Sequence, residues 1–314
     1  MTTPRHLDAA TITAALSPAA AVGAIADALL GGYDPASDIA RASPPTSSGQ
    51  FLLMPSEVAD VAGVKVATVA PDNPDIGLPR IQASYLLYDA RTLTLRATLD
   101  GTALTALRTP AVSVAAVRPV LDRFTEPLRV VVYGAGPQAI GHVQALAAIA
   151  PDPLAEVTFI VRHPEAAAPG VRELGEVAGT KESRARTAVR GAQVIVCATT
   201  ARTPLFPAEA VASNAVVIAV GSHEPDAREL PSALLARSTV IVEDPGTALR
   251  EAGDIILAVD DGAITGEDLV PMRDALTGTT AIPTDRPTVF KSVGMSWQDL
   301  VIANAALRAT VHQL

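Results

Sequence analysis

The sequence predicts an α/β protein in two parts: an α+β region that opens the chain and is resumed at its C-terminus, and a domain built on a parallel sheet inserted between them. Three observations predict this. Of the 314 residues, 49% are hydrophobic and only 3% aromatic, so the cores are made of Ala, Val, Leu and Ile, as in buried parallel strands. From Leu128 onward, short continuous apolar runs alternate with helical stretches. The first of those runs, in "RVVVYGAGPQAIGH", ends in glycines where a strand gives way to a helix.

In the opening region, apolar residues recur at helical spacing from Thr11 to Leu30 and are stopped by Gly31-Gly32, which reads as one helix with a glycine C-terminus. The stretch "ASPPTSSGQ" (42–50) reads as a loop. Four runs of strand character follow: "QFLLM" before Pro55, "VKVATV" before Pro71, "IQASYLLYD" and "TLRATLD". The expectation is a helix packed on an antiparallel sheet. Asp100-Gly101 closes the last strand, and "TALTALRTPAVSVAAVRPVL" continues with small residues at helical spacing, interrupted at Pro110.

In the inserted domain the strands are "RVVVYGAG", "EVTFIV", "AQVIVCAT", "AVVIAVGS" and "STVIVED", with a helix from Gln138 to Ile149 after the first. Past Gly278, "RPTVFKSVGMSWQDLVIANAALRATV" reads as a short strand, a glycine turn and a terminal amphipathic helix. That helix is expected to return to the opening region, which makes the substrate domain discontinuous.

Gly134, Gly136 and Ala139 have the G-x-G-x-x-A spacing, with Ala135, Pro137 and Gln138 between them and Pro137 at the helix start, where its missing N–H costs nothing. A strand before, a helix after and a second strand at Val157 complete the βαβ context of a Rossmann-type dinucleotide site, in which the helix N-terminus faces a pyrophosphate. An NAD site usually carries Asp or Glu at the end of the second strand for the ribose hydroxyl. Here "VRHP" stands there, and Arg162 and His163 suit a 2′-phosphate, so NADP(H) is preferred over NAD(H).

The net charge of −9 argues against nucleic acid or an anionic membrane surface as partner and favours a small molecule. The single cysteine, Cys197, lies in an apolar run and reads as a core thiol, which suits a reducing cytoplasm. No stretch has the length and apolarity of a membrane span, and no metal site is expected. Three of the cations near the first sheet stand out. Lys65 shares a strand face with Ala67 and Val69, Arg108 follows in "LTALRTP", and Arg41 precedes the first strand. Together they are suited to clamp a small carboxylate, since a guanidinium offers paired donors to its two oxygens.

Met54-Pro55, "GVKVATVAPDNP" (63–74), "LYDARTLTLRATLDGTALTALRTPAVS", "GAGPQAIGH", "AVGSHEPDAREL" and "FKSVGMSWQDL" occur in order over nearly the whole chain, and together they resemble the ornithine cyclodeaminase/mu-crystallin family. The resemblance implies a Rossmann NAD(P)-binding domain (113–292) joined to a substrate-binding and dimerisation domain (1–112 with 293–314) whose sheets pair across a homodimer. It places Arg41, Lys65 and Arg108 around the substrate carboxylate, with Lys65 also beside the reacting carbon. Ser292, Val293 and Gly294 would line the nicotinamide, and Thr109, Thr199, Val220 and Gly221 would border the cofactor.

Two positions depart from ornithine cyclodeaminases proper: His223 stands where they have a catalytic Asp, and Leu52 where they have a Glu for the distal ammonium of ornithine. The expected activity is therefore NAD(P)H-dependent redox on a small imino or amino acid, as ketimine reductase or amino-acid dehydrogenase, with His223 as a candidate proton donor and Lys65 its competitor. Ornithine cyclodeamination and non-catalytic binding of a small acid are the alternatives.

Overall fold

A computed structural model describes residues 3–312 and divides the chain into two compact units, Met1–Ala111 with Gly294–Leu314, and Val112–Val293. The first unit opens with β1 (Arg5–Leu7), α1 (Ala9–Ala15) and α2 (Pro18–Leu30). The single helix expected over 11–30 is thus two, bent by 78° at the Leu16-Ser17-Pro18 break. Proline has no N–H to continue the first helix, and Ser17 instead caps the second by accepting from the Ala20 N–H.

The strands are β2 (Pro45–Thr46), β3 (Gly49–Val58), β4 (Val61–Val69), β5 (Ile81–Asp89) and β6 (Leu95–Asp100). Three expectations are corrected here. Part of the 42–50 loop is strand, β3 runs through Pro55 to Val58, and β1 adds a parallel edge on β6, so the sheet is mixed, in the order β1-β6-β5-β4-β3-β2. Alternation along β4 buries Val61, Gly63, Lys65 and Ala67, and the register sets Met54 and Tyr85 beside Lys65 on that face.

Helix α3 (Gly101–Leu121) starts where the Asp100 carboxylate accepts from the N–H groups of Thr102 and Ala103. It continues through Pro110, against expectation. Residues 108–117 are buried without a break, and that packing outweighs the lost backbone hydrogen bond.

In the second unit the chain runs β7 (Arg129–Tyr133), α4 (Pro137–Ile149), β8 (Glu156–Val161), α5 (Pro169–Leu174), β9 (Glu176–Gly179), α6 (Ser183–Gly191), β10 (Val194–Cys197) and β11 (Val216–Ala219). It continues with α7 (Ser232–Leu235), β12 (Thr239–Val242), α8 (Pro245–Glu251), α9 (Gly253–Asp260), β13 (Leu269–Pro271), α10 (Met272–Thr277) and β14 (Thr288–Lys291). The eight strands are all parallel, in the order β13-β12-β14-β11-β10-β7-β8-β9. Strands β9 ("EVAG") and β13 ("LVP") lack the continuous β-branched run that marks the equally short β10, β11 and β12, and do not stand out in the sequence. Cys197 is buried.

The terminal helix α11 (Ser296–His312) belongs to the first unit and packs on β3, β4, β5 and α2. Among the described residues no single helix is long and apolar enough to cross a membrane, and no cluster of His, Cys, Asp or Glu could hold a metal ion.

His142 on α4 is fully buried; its Nδ1 lies 2.7 Å from the Gln138 carbonyl oxygen, which can only accept, so Nε2 accepts from the Ser113 hydroxyl at 3.0 Å. Burial lowers this imidazole to about 4, below the ~6.5 of an unfolded histidine. Between those values the unfolded chain binds a proton that the folded chain does not, so stability falls as pH drops through this window and is unaffected by His142 above it. The unfolding free energy of the wild type relative to His142→Gln is expected to drop by about 2 kcal/mol from about pH 7 to about pH 5 in urea titrations. A difference that stays constant would contradict a neutral buried imidazole.

Candidate functional site

The first unit gathers cations that lie far apart in sequence. Lys65 Nζ donates to Asp299 Oδ2 at 2.8 Å and to Thr105 Oγ1 at 3.3 Å. Arg108 NH1 donates to Gln298 Oε1 at 2.9 Å, and its Nε lies 3.8 Å from Asp299 Oδ1. Arg41 NH1 reaches the Gly294 carbonyl at 3.4 Å. Gly294 has φ +81°, and a Cβ there would lie 2.5 Å from Arg108 NH1, so this glycine lets the guanidinium rest against the backbone. Lys65, Arg108 and Asp299 are all buried.

The Asp299 carboxylate thus faces two buried cations, Lys65 and Arg108, and the partly buried Arg41 is near enough to act on Lys65. Burial lowers the Lys65 pKa, Asp299 raises it through charge and hydrogen bond, and Arg108 and Arg41 lower it. A second anion among these cations would be held by charge-assisted hydrogen bonds. Leu52 pairs with Ala67, and Met54 with Lys65, on the same sheet face, so the cations border an apolar surface. The N-terminus of α11 is anchored nearby, because Asp38 accepts from Ser56 Oγ at 2.7 Å and from the Trp297 N–H at 3.0 Å. Thr109 is buried on α3, where its hydroxyl donates to the Thr105 carbonyl.

The second unit collects the other expected residues. Strands β14, β11, β10, β7 and β8 are consecutive neighbours and parallel, so their C-terminal ends share one edge of the sheet. That edge carries the turn Gly134, Ala135, Gly136, Pro137, Gln138 and Ala139, then Arg162 and His163, Thr199, Val220 to His223, and Ser292 with Val293. From β7 the chain proceeds to β8 and β9 on one side and then to β10 on the other, so a topological switch point falls beside the glycine turn. Gly134 has φ +106°, and a Cβ would lie 2.4 Å from the Ala198 carbonyl oxygen. Gly136 caps α4 with no side-chain hydrogen bond, and a Cβ there would meet no atom within 4 Å, so the helix N-terminus is open to an anion. These features fit a dinucleotide pyrophosphate.

Arg162 and His163 are exposed just past β8; His163 Nδ1 lies 3.3 Å from Glu165. His223 is exposed in the loop after β11. That loop is fixed from below by Glu229, which accepts from the Thr199 N–H at 2.9 Å, the Thr199 hydroxyl at 2.7 Å and the Gly221 N–H at 2.8 Å. Burial raises the Glu229 pKa, while Lys291 and the Thr199 hydrogen bonds oppose this. Lys291 pairs with Asp254 at 2.9 Å and donates to the Ser222 carbonyl, and Asp254 accepts from the N–H groups of Glu229 and Leu230. Glu243 accepts from Ser292 Oγ and the Val293 N–H.

Sequence reasoning missed Asp299, Gln298, Asp38, Glu229, Glu243, Asp254 and Lys291. The available signal was a charged or amide residue inside an apolar run, as in "TVFKSV", "STVIVED" and "MSWQDLVI".

A parallel α/β unit with an open glycine turn at its switch point, carried with an α+β unit that buries a cationic cluster, defines a two-domain protein of the dinucleotide-binding class. The Ornithine cyclodeaminase/mu-crystallin family matches residues 7–310, and the chain belongs to that family. It is 33% identical to Delta(1)-pyrroline-2-carboxylate reductase 2 of Burkholderia ambifaria over 272 residues, covering 84% of this chain and 81% of that protein. It is 32% identical over 250 residues to the ketimine reductase mu-crystallin of Mus musculus, covering 79% and 76% of the two. The structure of Thermococcus litoralis Delta(1)-pyrroline-2-carboxylate reductase in complex with NADH and L-proline superposes with a TM-score of 0.86 at 25% identity, covering 98% of both chains.

Proposed function

We propose that this chain is an NAD(P)H-dependent oxidoreductase that reduces small α-imino acids, a ketimine reductase, or runs in reverse as an amino-acid dehydrogenase. The observation that carries this reading is the buried pair Lys65 and Arg108 on the single carboxylate of Asp299, with the partly buried Arg41 close by on the Gly294 carbonyl, beside an apolar surface. A bound nicotinamide cofactor, held along Gly134 to Ala139 and the neighbouring strand ends, supplies the hydride. The chain's own residues do the rest. Arg41, Lys65 and Arg108 bind the substrate carboxylate and orient the C=N carbon, so that placement and charge complementarity carry most of the rate. Reduction of C=N also consumes one proton at nitrogen, which comes from Lys65 or His223; a His223→Asn variant with undiminished kcat assigns it to Lys65.

Leu52 sets the choice of substrate. An apolar side chain at this position cannot neutralise a distal ammonium, and burying that charge unpaired costs several kcal/mol. Pyrroline-2-carboxylate, piperideine-2-carboxylate and pyruvate with an amine, each followed by NADPH and NADH oxidation, are set beside proline and ammonia formation from ornithine with NAD⁺. Cyclic imines are expected to be reduced and ornithine to be a poor substrate. Efficient proline release with no imine reduced would restore ornithine cyclodeamination, and binding without turnover would make this a carrier of small acids.

The same reading prefers NADPH over NADH, supported by Arg162 in place of a carboxylate after β8. A wild-type preference for NADH in that panel would remove it. It also makes the protein a homodimer. The outer face of the first sheet leaves Phe51, Leu53, Pro55, Val64, Val66 and Leu86 wholly or partly exposed in adjacent strands, an apolar surface suited to a second copy. A monomer mass by light scattering would contradict it.

A further inference from the structure

We propose that Asp299 is the positioning residue of the cationic cluster: one oxygen fixes the Lys65 ammonium, the other faces the Arg108 guanidinium, and both cations are thereby presented to the substrate carboxylate. The inference rests on the reading of that cluster as a carboxylate clamp. Lys65 sits on β4 and Arg108 on α3, and among the described residues only Asp299 of α11 brings a counter-charge to both; it enters from 234 residues downstream of Lys65. Asp299 lies in the first turn of α11, where the helix dipole favours a carboxylate, and Asp38 holds the start of that turn through the Trp297 N–H. Gln298, the preceding residue, holds the far side of Arg108 through NH1. Asp299 Oδ1 and Arg108 Nε, 3.8 Å apart, have no hydrogen-bond partner among the described residues, so the guanidinium can close on this oxygen when a carboxylate engages its other nitrogens.

The groups facing Lys65 decide what loss of Asp299 does. They are Asp299 from α11, Arg108 from α3, Arg41 from the segment before β2 and the neutral Tyr85 from β5, with Asp38 beyond Tyr85. Burial, Arg108 and Arg41 all push Lys65 toward its neutral form, and Asp299 opposes them. Without that carboxylate, Lys65 loses its proton at lower pH and stops attracting an anion there.

The test is the pH dependence of pyrrole-2-carboxylate binding, measured by calorimetry on the NADPH-loaded protein, together with kcat and KM for pyrroline-2-carboxylate. In Asp299→Asn the basic limb of binding is expected to move about 1–3 pH units to the acid side of the wild-type limb, with affinity regained on acidification and NADPH affinity unchanged. A limb that coincides with the wild type overturns the proposal. Asp299→Glu keeps the charge and misplaces it by one methylene, so it is expected to keep the wild-type limb and weaken binding about tenfold. Should the Asn variant fail to fold, wild-type affinity in Asp299→Glu overturns the positioning role by itself. If the wild type binds the probe but reduces no imine, the functional reading fails while Asp299 is still read by the titration. No binding by the wild type at any pH overturns both.

Discussion

Lys65→Met is expected to lower kcat/KM for cyclic imino acids by about 10²–10⁴-fold, the equivalent of the ~3–5 kcal/mol lost when one partner of a buried charge pair is removed. Its Nζ is buried and bonded to Asp299 and Thr105, so the substrate carboxylate would lose a fixed cation and Asp299 would be left facing Arg108 alone. Methionine keeps most of the side-chain volume, which limits the change to charge and hydrogen bonding. Apart from Thr109 and Gly294, the residues assigned to the cofactor lie in the other compact unit, so NADPH affinity measured by fluorescence titration should stay within a few-fold of the wild type. Near-normal turnover would remove Lys65 from the clamp. Parallel loss of NADPH binding would show that the substitution acted through folding.

The converse dissociation is expected at Gly134. Its φ of +106° excludes ordinary L side chains, and an added Cβ would meet the Ala198 carbonyl oxygen at 2.4 Å, a backbone atom at the end of β10. Gly134→Ala must therefore shift either the β7–α4 turn or the adjoining strand end. The strain alone is about 1–3 kcal/mol, and the N–H groups at the start of α4 turn away from the pyrophosphate as it relaxes. NADPH affinity should fall about tenfold or more, whereas pyrrole-2-carboxylate binding to the first unit should persist in the absence of cofactor. Wild-type NADPH affinity would show that the turn does not carry the nucleotide.

Much of both halves was legible in the sequence. The glycine turn declared itself because three small residues at fixed spacing between a β run and a helix have a local cause: the backbone must turn sharply and approach a ligand closely. Lys65 was visible as a charge in an alternating strand, on one face with Ala67 and Val69; that this face is the buried one only the structure shows. The errors were also local in origin. Pro110 reads as a helix break because proline removes a hydrogen bond, yet α3 continues, since ten successive buried residues stabilise it from outside. At Pro18 the same residue type does end one helix and begin another, and Pro55 lies within a ten-residue strand. One residue, three outcomes: the local penalty is similar, and the surrounding packing decides.

What the sequence determined by itself was most of the longer strands, the helix after the glycine turn and the terminal helix, the parallel character of the second unit, the glycine turn, and the cations. These follow from periodicity, from backbone stereochemistry and from residue type, all of which act over a few neighbouring residues. What only the tertiary structure decided was which charges meet. Asp299 is separated from Lys65 by 234 residues, and Gln298 from Arg108 by 190. Glu229 after β11, Asp254 on α9 and Lys291 at the end of β14 come together only once those elements have packed. A carboxylate in an apolar run looks the same whether it is solvated or paired; its partner, and with it the charge state of Lys65, exists only once the helix that carries it has packed.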